Sequence, residues 1–422
     1  MDSLSQIVLG AAVGEAALGR KVGNRAIVWG AIAGTLPDLD VLANAVTDPL
    51  SALAYHRAFT HSLPFAVLAA PLIGLLVHRL YAAGESRLAV PLTAPPPPAA
   101  LRGWPAALLF IPFFLLLLAG SYFMPIEVYE IPGITATITV VFAAIVGVIA
   151  LRERLRKRPS ANDNASWRQW SLLFFLAIVT HPLLDCFTAY GTQFFEPFSK
   201  TRIAWNTISV VDPLYTLPFL LFLAIAFFLR RGSRSRRRFN RVGLVLSSVY
   251  LLFTVVNHFN VAGIMENTLA DRSLTVRDYR VSPSILNNIL WQGTARAPDD
   301  ETFYYGSYSL LDRERSFSPF QTIAGNHDLL AAYHDRRELR ILRWFTQGYY
   351  GIIPLDEGKW QFNDLRYATG GGRDTGKPNN YVFFWIVQLR PDGTLDVYQP
   401  PPGESFDGPE MLDELVTRIK GI

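Results

Sequence analysis

The stretch Arg230-Arg-Gly-Ser-Arg-Ser-Arg-Arg-Arg-Phe-Asn-Arg241 runs straight into Val242-Gly-Leu-Val-Leu-Ser-Ser-Val-Tyr-Leu-Leu-Phe-Thr-Val-Val-Asn-His-Phe-Asn-Val261. Seven cationic residues are followed by twenty that carry no carboxylate, Lys or Arg. Roughly 20 predominantly apolar residues are needed to cross a bilayer as a helix. Lys and Arg collect on the cytoplasmic side of such helices. The pair of segments therefore reads as a membrane helix that starts inside.

Working back toward the N-terminus, further runs of this kind appear at Pro213–Leu229, Trp170–Phe187, Ile131–Leu151, Trp104–Phe123 and the shorter Leu63–Val77. Leu4–Gly19 and Ala26–Val46 are interrupted by polar groups and read as half-buried pieces or as full spans. Both contain a small-xxx-small pair, Gly10/Gly14 and Gly30/Gly34, which lets helices approach closely. The expected fold class is an all-α polytopic membrane domain of about 6–8 helices. Toward the C-terminus no such run follows. Residues 1–261 hold 22 Lys and Arg against 13 Asp and Glu, whereas residues 262–422 hold 17 against 22. The chain thus divides into 1–262, membrane-embedded, and 263–422, a soluble α+β domain. The net charge of +4 belongs to the membrane part and points to no nucleic-acid partner. The single cysteine, Cys186, excludes intrachain disulfides and a thiolate-rich metal site. Residues 1–20 lack a basic leader and carry Glu15, so no cleavable signal peptide is expected.

Alternate loops between the eight segments hold 19 basic residues and the opposite loops only three, Arg57, Lys200 and Arg202. This asymmetry sets the basic loops in the cytoplasm and both termini outside. On the outer side the polar residues then gather. Asp38 and Asp40 lie in Thr35-Leu-Pro-Asp-Leu-Asp40, and His56 and His61 in Tyr55-His-Arg-Ala-Phe-Thr-His-Ser62. His181 and Asp185 share one helix face by their i,i+4 spacing. Asp212, Asn257 and His258 belong to the same side.

Ionisable groups at membrane depth are costly, and they persist when they pair or serve a function. Imidazole and carboxylate are ligands for zinc first, with iron or manganese as alternatives. Such an ion polarises a phosphoryl or carbonyl oxygen and acidifies a water, which gives a hydrolase without a serine or cysteine nucleophile. Taken singly, each residue has a structural reading. Asp38 and Asp40 can end a helix, His56 and His61 can be loop residues, and His181 and Asp185 can bond to each other. Glu15 is a partner for an arginine or a support for the cluster. Cys186 reads as a packing residue.

The motifs Gly34-Thr-Leu-Pro-Asp-Leu-Asp40, His56-Arg-Ala-Phe-Thr-His-Ser62 and His181-Pro-Leu-Leu-Asp-Cys-Phe-Thr-Ala-Tyr-Gly191, followed by Pro197-Phe-Ser199 and Val211-Asp-Pro213, resemble the YdjM family of bacterial inner-membrane proteins. The resemblance covers about residues 1–260. It implies a metal-dependent hydrolase of the bacterial inner membrane, with metal ligation by Asp38, Asp40, His56, His61, His181 and Asp185. Some members carry a histidine where this chain has Gln6, a departure that bears on one ligand or a second metal. A fainter similarity, to zinc-dependent phospholipase C, implies a phosphodiester or phospholipid substrate.

The expected function is therefore hydrolysis of a phosphoester or lipid-linked substrate at the outer leaflet by a metal-activated water. Asp40, His61 and Arg57 form the catalytic set, and Arg57 and Arg202 are anion contacts. Two rival readings use the same residues: a transporter or permease, and a scaffold or sensor in which the metal is structural. In the C-terminal region, strand-like alternation appears at Leu274–Val281, Phe303–Leu311, Leu339–Trp344, Tyr381–Leu389 and Leu395–Tyr398, with a turn at Pro391-Asp-Gly393. Helical patterns fall at Asn326–Arg337 and Pro409–Ile419. His327 and His334 read as surface residues, and the sequence chooses no protein partner for this domain.

Overall fold

A computed structural model describes residues 1–45, 47–85, 165–367, 381–400 and 408–421. Two compact units emerge: Met1–Ala204 with Leu214–Tyr250, and Trp205–Pro213 with Leu251–Ile422.

The first unit is helical. Helix α1, Ser3–Gly14, begins where the Asp2 carboxylate accepts a hydrogen bond from the Ser5 amide, 3.0 Å away, and caps one of the free N–H groups of the first turn. It continues through a π-helical turn, Glu15–Gly19. Helix α2, Asn24–Thr35, packs along α1. The glycine pairs make that packing close. A Cβ on Gly10 would lie 2.4 Å from the Gly30 carbonyl oxygen, and one on Gly14 would lie 2.3 Å from that of Ala26. After α2 comes Pro37, which has no N–H to donate, and the chain changes to a 3₁₀ segment, Pro37–Ala45. Helix α3, Pro49–Tyr55, is capped by Asp48. A second 3₁₀ turn, Phe59–His61, leads into helix α4, Leu63–Glu85. Helix α5, Trp167–Asp185, opens with a reciprocal Ser166/Gln169 cap and packs against α4. Trp29, Phe65, Tyr81, Trp170 and Phe174 fill the core they share, with Tyr81 stacked on Trp170.

Helix α6, Pro213–Phe228, precedes the long helix α7, Arg234–Asp271. Near the start of α7, Arg236 is buried and donates from Nε and Nη2 to the two carboxylate oxygens of Glu15, at 2.6 and 2.5 Å. Its Nη1 reaches Asn24 Oδ1 at 2.6 Å. Glu15 is thus an arginine partner and has no contact with the aspartate–histidine cluster among the bonds described here.

The expectation of six to eight membrane helices is not met. Among the described residues two helices are long and apolar enough to cross a membrane, Leu63–Tyr81 within α4 and Arg234–Asp271. Helices α1 and α2 have 12 residues each. At 1.5 Å per residue each covers about 18 Å of a hydrocarbon layer about 30 Å thick. The 16-residue α6 is apolar but short. Helix α5 has 19 residues, yet it mixes Arg168, Gln169, His181 and Asp185 into its apolar sequence and buries much of its surface. The segments Trp104–Phe123 and Ile131–Leu151 lie outside the described residues. Helix α7 exposes Val245, Val249, Leu252, Val256 and Phe259 along its length, an apolar surface suited to lipid.

The second unit is built on two four-stranded antiparallel sheets, with helices between and after them. The first joins β1 (Asp278–Pro283), β2 (Leu290–Arg296), β3 (Thr302–Ser309) and β4 (Gln321–Ala324) in sequence order. A 3₁₀ segment, His327–Tyr333, and helix α8, Arg337–Phe345, follow. The second sheet joins β5 (Tyr350–Asp356), β6 (Lys359–Asp364), β7 (Phe384–Leu389) and β8 (Leu395–Tyr398), and helix α9, Gly408–Ile419, closes the chain. Leu339–Trp344, expected as a strand, is part of α8. Its buried residues Leu339, Ile341, Leu342 and Phe345 show spacings of two, three and four positions, and so short an apolar run does not separate the helical period from alternation.

Candidate metal centre

Three segments of the helical unit bring Asp38, His61 and His181 together. The 3₁₀ segment after α2 carries Asp38, the 3₁₀ turn before α4 carries His61, and the last turn of α5 carries His181. One ligand atom from each lies within 4.8 Å of the others. The Nε2 atoms of His61 and His181 face each other at 3.1 Å. Asp38 Oδ1 is 3.5 Å from the first and 3.3 Å from the second. Asp185 Oδ2 is 3.5 and 3.4 Å from the same two nitrogens.

The tautomers follow from what lies behind each ring. His181 Nδ1 sits 2.5 Å from the carbonyl oxygen of Gly34, which only accepts, so this nitrogen carries the proton. That carbonyl is one of those left over at the end of α2, where no further helical turn uses it. His61 Nδ1 sits 3.2 Å from Asp40 Oδ2 and donates to it in the same way. The two Nε2 atoms face each other and two carboxylate oxygens. Asp185 Oδ2 is buried and accepts no hydrogen bond. A divalent ion here would take the Nε2 atoms of His61 and His181 and the Asp38 carboxylate in place of the protons they share. Zinc bonded at 2.0–2.1 Å in a tetrahedron holds its ligands about 3.3 Å apart, close to the 3.1, 3.3 and 3.5 Å among His61, His181 and Asp38. The residues fit a divalent ion.

Asp40 and His56 take a different position from the four converging groups. Asp40 is buried, and its Oδ1 receives His56 Nδ1 at 3.0 Å, while Oδ2 receives both His61 Nδ1 and the Arg57 amide, the latter at 2.8 Å. Both oxygens are therefore turned toward hydrogen bonds that orient the histidines. Burial opposes ionisation of Asp40, but the charges and hydrogen bonds of His56 and His61 together outweigh it and hold its pKa well below the usual carboxylate range. Asp38 follows the same pattern: burial raises its pKa, and His181 and His61 lower it further than burial raises it.

Asp185 is held by its other oxygen. The Met1 amino group, Gln6 Nε2 at 3.1 Å and Arg57 Nη2 at 3.3 Å all approach Oδ1. Gln6, the position where the family resemblance gives a histidine in some members, thus contacts the site directly. Arg57, in the left-handed region with φ 60°, lies over the Tyr190 ring at 4.8 Å, and Arg202 lies over the same ring at 4.9 Å. Tyr190 lies in the His181–Gly191 motif, and its contact with both guanidinium groups is a tertiary fact that no local spacing carries. Asp212 and His258 belong to the second unit, where His258 Nδ1 bonds the Asn206 carbonyl.

A buried aspartate–histidine cluster beside membrane-length helices defines a membrane protein with a site able to hold a metal ion. The chain belongs to the YdjM inner membrane protein family, whose model matches residues 1–261. It is 28% identical over 206 residues to the uncharacterized protein YfhP of Bacillus subtilis (strain 168), a match covering 44% of this chain and 61% of that protein. The match therefore spans less than two thirds of the relative. No solved structure matches.

Proposed function

We propose that this protein is a membrane-bound, metal-dependent hydrolase of a phosphoester, with a membrane lipid or lipid-linked molecule as substrate. The observation that carries the reading is the pair of imidazole Nε2 atoms 3.1 Å apart, with the Asp38 and Asp185 carboxylate oxygens beside them. Zinc is the ion this donor set suits first, with iron or manganese as alternatives. A bound divalent ion supplies polarisation of a phosphoryl oxygen and a more acidic water.

The chain's own residues do the rest. His61, His181 and Asp38 would hold the ion, with Asp185 beside both imidazoles, and Asp40 and the Gly34 carbonyl fix the rings. Asp38 is the half-exposed member, its side chain 18% accessible against 0% for the other three. Substrate and water enter on its side. Arg57 and Arg202, both against the Tyr190 ring, supply positive charge to the anionic phosphoester. His56, with its ring 27% accessible and Nδ1 bonded to Asp40, stands ready to move a proton. The basic run Arg230–Arg241 at the start of α7 favours the cytoplasmic side for that end, which sets the residues after the helix outside the membrane.

The test is metal content by plasma mass spectrometry on detergent-purified protein, followed by phospholipid and phosphodiester turnover. Near-stoichiometric metal in the wild type that disappears in His61→Ala and His181→Ala, with turnover following the metal, supports the reading. No metal after mild purification and reloading sinks it.

A further inference from the structure

The second unit contains its own cavity, of about 490 Å³, between β2, α8 and the start of β5. Three arginines, Arg296, Arg340 and Arg343, line it, with His327, Trp344 and Tyr350 as flat surfaces. Asp300 is the single acidic residue in the lining. This concentration runs against the composition of residues 262–422, in which acidic residues outnumber basic ones by 22 to 17.

The local sequence explains the arrangement. Helix α8 is Arg-Glu-Leu-Arg-Ile-Leu-Arg-Trp-Phe, with arginines at 337, 340 and 343. A three-residue spacing puts successive arginines on one side of a helix, while Leu339, Leu342 and Phe345 turn the other side to the core. Arg296 comes from the end of β2 and is held in place from behind. Its Nε donates to Asp278 Oδ1 at 3.1 Å, its Nη2 pairs with Asp278 Oδ2, and it lies over the Tyr349 ring at 5.1 Å. The approach to Arg296 needs a residue without a side chain. Gly348 has φ +80°, and a Cβ there would lie 2.9 Å from Arg296 Nη1. On the far wall the His327 ring stacks on Tyr350 at 3.9 Å and its Nε2 bonds the Tyr350 carbonyl. The volume suits one small molecule, since ligand pockets run to about 300–1,000 Å³.

We propose that this cavity is a binding site for a small ligand bearing a phosphoryl group, independent of the metal centre. Guanidinium groups match phosphate oxygens with paired hydrogen bonds, and Trp344 gives a surface for a ring or sugar. The phosphoryl group comes either from a soluble metabolite or from a lipid headgroup.

The experiment is calorimetric titration of the full chain in detergent with pyrophosphate, for wild type, Arg340→Ala, Arg343→Ala, Arg343→Lys and His181→Ala. Saturable binding is expected in the wild type. It weakens by about tenfold or more in each alanine variant, the loss of one charge-assisted hydrogen-bond set. Arg343→Lys falls between, because charge remains and the fork is lost, and His181→Ala binds as the wild type does. Unchanged near-ultraviolet circular dichroism in the arginine variants confirms folding. Glucose 1-phosphate and glycerophosphoglycerol are then compared, and tighter binding of either upholds the site and names its source. No saturable binding, equal binding in the alanine variants, or loss of binding in His181→Ala overturns the proposal.

Discussion

His181 is aimed by Gly34: the ring's Nδ1 lies 2.5 Å from a carbonyl at the end of the helix that packs on α1 through glycines. The metal site and the helix packing are therefore one construction. Gly10→Ala should expose the link. Its Cβ would meet the Gly30 carbonyl oxygen at 2.4 Å and the Gly34 Cα at 2.8 Å, both backbone atoms that cannot rotate away. The expected cost is about 1–3 kcal/mol, read as a lower melting temperature in detergent, together with weaker metal retention. An unchanged melting temperature and full metal content would contradict the close packing.

Asp40→Asn separates holding from aiming. The variant keeps the four converging groups and loses the charge that orients His56 and His61. Metal affinity should fall by about 10- to 100-fold, whereas His61→Ala abolishes binding. A competition titration with a fluorescent zinc chelator distinguishes the two, and equal losses in both variants would make Asp40 a ligand in its own right.

Glu15 and Arg236 form a buried pair, both side chains 2% accessible. Removing one leaves an unpaired charge inside the protein, which costs about 3–5 kcal/mol. Glu15→Ala and Arg236→Ala should each melt far below the wild type, and Glu15→Leu with Arg236→Met should recover most of the loss. If either single variant is as stable as the wild type, the pair is not buried as described.

Glu196 gives a pH dependence with a definite sign. Both its oxygens are buried without hydrogen bonds, and burial pushes its pKa up to about 7, against smaller opposing effects of Lys200 and Arg202. A carboxyl with a raised folded pKa keeps its proton while the unfolded chain has lost it. Stability is therefore full below the ordinary value of 4.5 and falls as pH rises from there through about 7. Glu196→Gln should flatten that decline. Melting temperatures of the two proteins across this window test it, and parallel curves would refute it.

Much of the site was legible because its residues come in short local patterns. His181 and Asp185 sit one turn apart on a helix, and that spacing alone puts them on one face. The small-residue pairs announced the contact of α1 with α2. Ligand and support were not distinguishable, because aspartate serves both purposes. Only the direction of Asp40's two oxygens, both turned to imidazole Nδ1 and backbone N–H, separates it from Asp38. The count of membrane helices erred for a related reason. Apolar content marks burial, and a 12-residue helix packed on others is as apolar as a span of similar composition. Length, cut short at Thr35 before Pro37, decides, and hydropathy does not register a break of that kind. Within the second unit, Leu339–Trp344 alternates over too few residues to reveal that it is helical.

The converging groups are far apart along the chain: His61 and His181 are separated by 120 residues. During synthesis the N-terminal half emerges with Asp38 and His61 already made and nothing to complete the set. Until the end of α5 has been translated and docked, no ion can be enclosed on four sides. The cluster can therefore close only once the end of α5 has docked, and an ion held there would report the assembly of α1 through α5.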